Sequence, residues 1–134
     1  MYRNTRSNSL LLTLWLAAAL GPSLGCGLVD SLPGRDARCD LRPQKDQCTD
    51  LRDFKGPSFA TFEGVCATLR VAQQGGAFQT DARCDVTGSV GGCQSRNGDG
   101  SLQTNWFYRG EHYTSDADVK EECGHLQDVV PPTP

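Results

Sequence analysis

The residues with the most chemistry to offer are seven cysteines: Cys26, Cys39, Cys48, Cys66, Cys84, Cys93 and Cys123. A thiol can bind metal, act as a nucleophile, carry a lipid or be oxidised to a disulfide, and the compartment decides among these fates. The N-terminus supplies the compartment. Arg3 and Arg6 form a positive segment free of carboxylates, and Leu10 to Leu20 is a continuous run of eleven residues, apolar except for Thr13. At 1.5 Å rise per residue that run covers about 16 Å, roughly half a bilayer core, which suits an export signal and is too short for a permanent span. Gly21 and Pro22 then break the helix, and the small residues Ser23 and Gly25 precede Cys26. Residues 1–25 are therefore expected to be a signal peptide, and export makes disulfides the default state of the cysteines that follow.

Seven thiols cannot all pair. Ser23-Leu24-Gly25-Cys26 resembles a bacterial lipobox, in which the cysteine becomes the lipid-modified first residue of the mature chain. It departs from the usual pattern in carrying Ser23 where leucine is common, and the same residues satisfy an ordinary small-x-small cleavage site. Parity favours the lipobox: with Cys26 set aside as the lipidation site, six cysteines remain and can pair completely.

Other chemistry finds little footing. Ser95-x-Asn97-x-Asp99-Gly100 opens like a calcium loop, but the positions that need a carboxylate and a bidentate glutamate hold Ser95 and Trp106. His112 and His125 are the only imidazoles, and disulfides would consume the thiols that a zinc site needs, so both are expected at the surface. Gly56-Pro57-Ser58-Phe59-Ala60 lacks the last glycine of a nucleophile elbow, and Val86 interrupts Asp85-Val86-Thr87-Gly88 as an aspartic-protease triplet. Glu63 has no evident carboxylate partner for glycoside chemistry. No catalytic residue, metal site or cofactor is expected.

Removal of residues 1–25 from the 134-residue chain leaves 109 residues with 11 basic and 16 acidic side chains, a net charge of −5. That balance argues against nucleic acid as a partner and against electrostatic docking on anionic lipid. A disulfide-rich domain is expected over 39–125, after a polar tether over 26–38 and before a Pro-rich tail over 126–134. A domain of about 85 residues buries only about 60–65% of its unfolded surface, so its core is marginal without staples.

The elements that would position these residues follow from periodicity. Phe59, Phe62, Cys66 and Leu69 share one helical face, with Pro57 in the first turn and Gly75-Gly76 at the end. A second helix is expected with Ser115 as N-cap, Asp118 near N3, Val119 and Cys123 on one face, and Gly124 as the C-cap residue. Leu102 to Arg109 alternates as a strand, setting Leu102, Thr104, Trp106 and Tyr108 against Gln103, Asn105, Phe107 and Arg109. Weaker strands fall near 47–54, 77–84 and 89–95, and Asn97-Gly98-Asp99-Gly100 signals a hairpin turn. The fold class expected is α+β: a small disulfide-stapled antiparallel sheet with two helices packed on one face. Trp106 and Tyr108 are expected in the core, which leaves Phe107, on the other side of the strand, as the candidate contact surface.

The chain also reads as two duplicated halves. Asp36-Ala37-Arg38-Cys39-Asp40 recurs as Asp81-Ala82-Arg83-Cys84-Asp85, and in both copies the next cysteine follows nine positions later. Each half then ends in a helix with one inward cysteine. Fifteen pairings of six cysteines are possible, and this duplication suggests Cys48–Cys66 and Cys93–Cys123 within the halves and Cys39–Cys84 between them.

Cys84-x5-Val90-Gly91-Gly92-Cys93, followed by Trp106-Phe107-Tyr108, Tyr113-Thr114 and Cys123, resembles the small six-cysteine lipoproteins of unassigned function abundant in myxobacteria. The upstream order Cys39-Asp40, Cys48, Cys66 also fits, so the resemblance spans most of the mature chain. It implies an envelope-anchored domain with intramolecular disulfides and carries over no catalytic or binding residue. The sequence thus leads to the expectation of a non-enzymatic lipoprotein held in the bacterial cell envelope, at the outer membrane, by a lipid on Cys26. Such a protein would bind a protein or glycan partner or coat a surface. A secreted disulfide-rich inhibitor or effector is the alternative.

Overall fold

The computed structural model describes residues 33–133, so the expected signal peptide, Cys26 and most of the tether lie outside the described residues. Six strands form one antiparallel sheet: β1 (Arg35–Asp40), β2 (Gln47–Phe54), β3 (Ala77–Thr80), β4 (Ser89–Arg96), β5 (Leu102–Tyr108) and β6 (Asp128–Val130). Helix α1 (Gly56–Ala72) joins β2 to β3, and α2 (Asp116–Cys123) joins β5 to β6. The sheet order is β3-β1-β2-β5-β4-β6.

That order is its own mirror, and the symmetry explains the fold. Each half is a hairpin, a helix and a third strand that returns to pair with the first strand of its hairpin. The halves meet through β2 and β5. One row of residues crosses all six strands: Phe78, Cys39, Thr49, Asn105, Cys93 and Val129. Thr49 and Asn105 face each other at its centre, with Cys39 and Cys93 one strand out on either side. The domain is therefore built as two halves related by an approximate twofold axis between Thr49 and Asn105.

The repeat is not the one that the pentapeptide suggests. Asp36–Asp40 lies in β1, whereas Asp81–Asp85 lies in the segment that links the halves. The structural match pairs Cys39 with Cys93, Gln47 with Gln103, and Cys66 with Cys123. The two pentapeptides are neighbours instead of counterparts: Asp81 N–H donates to the Asp36 carbonyl at 2.9 Å, and the Arg38 guanidinium donates to the Arg83 carbonyl at 3.0 Å.

Disulfide pairing follows from strand alternation. Cys39 stands opposite Thr49, and Cys48 stands opposite Asp40, so Cys39 and Cys48 project to opposite faces of the sheet. Both helices lie on the Cys39 face, because the bonds formed are Cys39–Cys66, Cys48–Cys84 and Cys93–Cys123. The expected Cys93–Cys123 bond is present. The expected Cys48–Cys66 and Cys39–Cys84 bonds are not: Cys66 on α1 can reach only the strand cysteine on its own face. Cys48 is left to staple the linking segment to the back of the sheet.

Packing follows the same division. Under α1, Ala37, Leu51, Phe54 and Phe59 form a buried cluster with Phe62 and Phe78 against it. Under α2, Phe107 and Val119 pack with the Cys93–Cys123 bond, and the Phe107 ring lies 4.6 Å from that of Tyr113. On the back, Trp106 and Tyr108 cover Cys48–Cys84, as expected of them. Gly92 permits this, since a Cβ there would stand 2.9 Å from Trp106 Cε3.

Two boundaries differ from the sequence reading. Residues 35–38, expected in the tether, begin β1, and Asp128–Val130, expected in the tail, form β6 along β4. In both cases pairing with a stapled neighbour overrides weak local propensity. The α2 start is as expected, and Asp118 organises it. Its carboxylate accepts the Thr114 and Ser115 backbone N–H groups at 2.8 Å each, and their hydroxyls as well. Those bonds, the backbone ones first, hold Asp118 down to about 2 from an ordinary 3.8. A folded-state value below the unfolded one stabilises the fold at neutral pH, and that contribution is lost as pH falls from about 4 towards 2. Urea melts of the protein and Asp118→Asn should therefore differ at pH 6 and converge near pH 2.

Candidate functional site

Two concavities stand out, one on each face. The first is a groove of about 590 Å³ on the helical face. It exists because each helix is tied to an outer part of the sheet, α1 through Cys39 on β1 and α2 through Cys93 on β4, which leaves β2 and β5 partly bare between them. Its floor is polar: Gln47 and Thr49 from β2, Gln103 and Asn105 from β5. Its apolar wall is the flank of α1, where Phe62, Val65 and Leu69 recur at helical spacing and Val65 and Leu69 stay 50% and 39% exposed.

The far wall is the β4–β5 turn. Asn97 and Asp99 line the groove there, and Ser101 fixes both: Asn97 Nδ2 donates to Ser101 Oγ at 2.9 Å, and Ser101 N–H and Oγ–H donate to Asp99 Oδ1. The Ser101 hydroxyl and backbone N–H keep the Asp99 carboxyl below its ordinary range, so it is ionised at neutral pH. At the centre of the floor, Thr49 Oγ1 donates to Asn105 Oδ1 at 2.8 Å. That bond orients the Asn105 amide and leaves its Nδ2 group without a protein partner among the described residues. Gln47 and Gln103 are half-buried, occupy equivalent places in the two halves, and likewise keep their side-chain amides unengaged among the described residues.

The second concavity, about 500 Å³ on the back face, contains Asp50, Arg52 and Trp106. Here the carboxylate is already committed. Asp50, 1% exposed, accepts Cys84 N–H at 2.6 Å, Trp106 Nε1–H at 2.9 Å and the Arg52 guanidinium at 3.2 Å. Nearby, burial pushes the Tyr108 phenol up to about 12, and its hydroxyl donates to the Asp85 carbonyl at 2.5 Å. These groups hold the linking segment to the sheet.

Residues singled out from sequence fall as follows. Phe107 is 2% exposed beneath α2, so it is no contact surface; β5 presents it to the helix that its neighbour Tyr113 leads into. His112 and His125 are exposed, and no three His, Cys, Asp or Glu side chains converge as metal ligands among the described residues. Ser58 lies in the first turn of α1, Glu63 is exposed on α1, and Asp85 caps its own turn by accepting Thr87 N–H at 2.9 Å. Sequence reasoning missed the amide floor. The available signal was polar Thr49 and Asn105 at the strand phase that also carries the core residues Leu51 and Phe107.

No family model, curated protein or solved structure matches the chain. The groove geometry therefore stands by itself: amide donors and acceptors on a sheet floor, one apolar wall, and the Asp99 carboxylate as the single charged group lining it among the described residues. Such a site can orient a bound molecule by hydrogen bonds while covering an apolar face of it.

Proposed function

We propose that this chain is an exported, non-enzymatic interaction domain of the bacterial cell envelope, anchored by lipid at Cys26, with the α1–β5 groove as its binding face. The observation that carries the anchor is the disulfide set. Six cysteines pair completely with one another, so no intrachain partner remains for Cys26. Cys26 also closes the lipobox-like Ser23-Leu24-Gly25-Cys26 after the Arg3, Arg6 and Leu10–Leu20 export pattern. Among the described residues no helix is long and apolar enough to cross a membrane. Eight residues separate Cys26 from the start of β1, so a lipid there would keep the domain within about 30 Å of the bilayer surface.

Mass spectrometry of the mature N-terminus tests this reading. A chain beginning at Cys26 with a diacylglyceryl thioether is the expected result, and Cys26→Ser should abolish membrane fractionation while leaving the three disulfides intact. A soluble mature chain with unmodified Cys26 would overturn the anchor and favour the secreted inhibitor or effector.

A further inference from the structure

The chemistry of the groove narrows what it can hold. Among the described residues Asp99 is the only charged one lining it, and the nearby Lys55 already faces Asp53 at 4.0 Å, so with a net charge of −5 on the mature chain phosphorylated, sulfated or uronic ligands would meet repulsion with no free cation in the lining. An extended peptide cannot add as a strand there, because β2 and β5 are already paired with each other along the floor. What the floor offers is side-chain amides, each both donor and acceptor, from Gln47, Gln103 and Asn105. Beside them runs the flank of α1 from Pro57 to Leu69, an apolar wall about 18 Å long at 1.5 Å per residue.

From this arrangement we propose that the groove binds a neutral N-acetylated oligosaccharide. The acetamido group is an amide, and its C=O and N–H match the acceptor and donor of a facing Gln or Asn side chain. Its methyl and the C–H face of the sugar ring lie against Val65, Leu69 and Phe62, which removes exposed apolar surface from water. Sugar hydroxyls meet Asn97, Asp99 and the remaining amide atoms. The Thr49–Asn105 bond fixes the central amide before binding, so little side-chain freedom is lost there. This assignment rests on the groove being the binding face of an extracytoplasmic domain.

The test is a ¹⁵N NMR titration of the exported, oxidised protein with tetra-N-acetylchitotetraose, with maltotetraose as the sugar lacking acetamido groups. Saturable shifts in the side-chain NH₂ signals of Gln47, Gln103 and Asn105 are expected with the first sugar, and at least tenfold weaker binding with the second. Gln103→Ala and Val65→Glu replace half-buried and exposed groups, so both should fold, with unchanged melting profiles, and each should weaken binding about tenfold. No shift with tetra-N-acetylchitotetraose, equal affinity for maltotetraose, or shifts confined to residues outside the groove would each overturn the proposal. The lipid adduct on Cys26 is read independently by mass spectrometry, so a lipidated protein that ignores the sugar would defeat this inference and leave the anchor standing.

Discussion

Asp50→Ala is expected to lower stability by about 3–5 kcal/mol, the range for breaking a buried, charge-assisted network by removing one partner. The side chain is 1% exposed and links three parts of the molecule that nothing else joins in this way. Through Trp106 Nε1 it ties β2 to β5 across the junction of the halves, through Cys84 N–H it holds the linking segment, and through Arg52 it neutralises its own charge. Alanine leaves two buried N–H donors and a guanidinium without their acceptor. Asp50→Asn keeps the shape but supplies one acceptor oxygen for what two now serve, so it should fall between wild type and alanine. Urea melts read both. In a double-mutant cycle with Trp106→Phe the two losses should be clearly non-additive, because both changes remove the same bond. An Asp50→Ala loss below about 1 kcal/mol would mean that water replaces the carboxylate and that the network is not what secures the back of the sheet.

How far the sequence discloses this molecule depends on the range of the interaction concerned. The helices are legible because their signals are local: Pro57 in a first turn, Ser115 with Asp118, and inward cysteines at helical spacing all act within a few residues. The β4–β5 hairpin is legible for the same reason, through Asn97 to Gly100. β6 is not, since Asp128–Val130 has no alternation to show and becomes a strand only because β4 offers an unpaired edge. The pentapeptide misled by being identical. Structural equivalence preserves strand register, which Cys39 and Cys93 share, whereas Cys84 is buried but lies in no strand and shares with Cys39 only its flanking letters. The pairing error for Cys48 and Cys66 follows from that misalignment, and counting alternation along β1 and β2 would have exposed it only with their register in hand. The groove floor was the least legible part. A polar residue on a core-facing phase reads as an interruption until the helices are known to leave that strip uncovered.

The same topology sets the second large effect, the dependence of folding on the staples. The disulfides close loops with sequence separations of 27, 36 and 30 residues. On the loop-entropy account each contributes about 3.5–4 kcal/mol, together about 11 kcal/mol, against a total of about 5–15 kcal/mol for ordinary domains. The core divides into four small clusters instead of one, so apolar burial has little surplus to replace a lost bond. Reduction in non-denaturing buffer is therefore expected to unfold the domain, seen as loss of near-ultraviolet circular dichroism from Trp106 and its aromatic neighbours. The bonds should also differ in kind. Breaking Cys39–Cys66 or Cys93–Cys123 frees one helix from one half, whereas a Cys48→Ala, Cys84→Ala double variant frees the segment that joins the halves and uncovers Trp106 and Asp50 as well. That variant should lose more than the roughly 4 kcal/mol of loop entropy alone, and more than either helix-bond variant in urea melts. A reduced domain that kept its native dichroism would show that the two hairpins and their helices pack well enough without covalent help. A Cys48–Cys84 variant less affected than the others would move the weight of the fold from the linking segment to the helices.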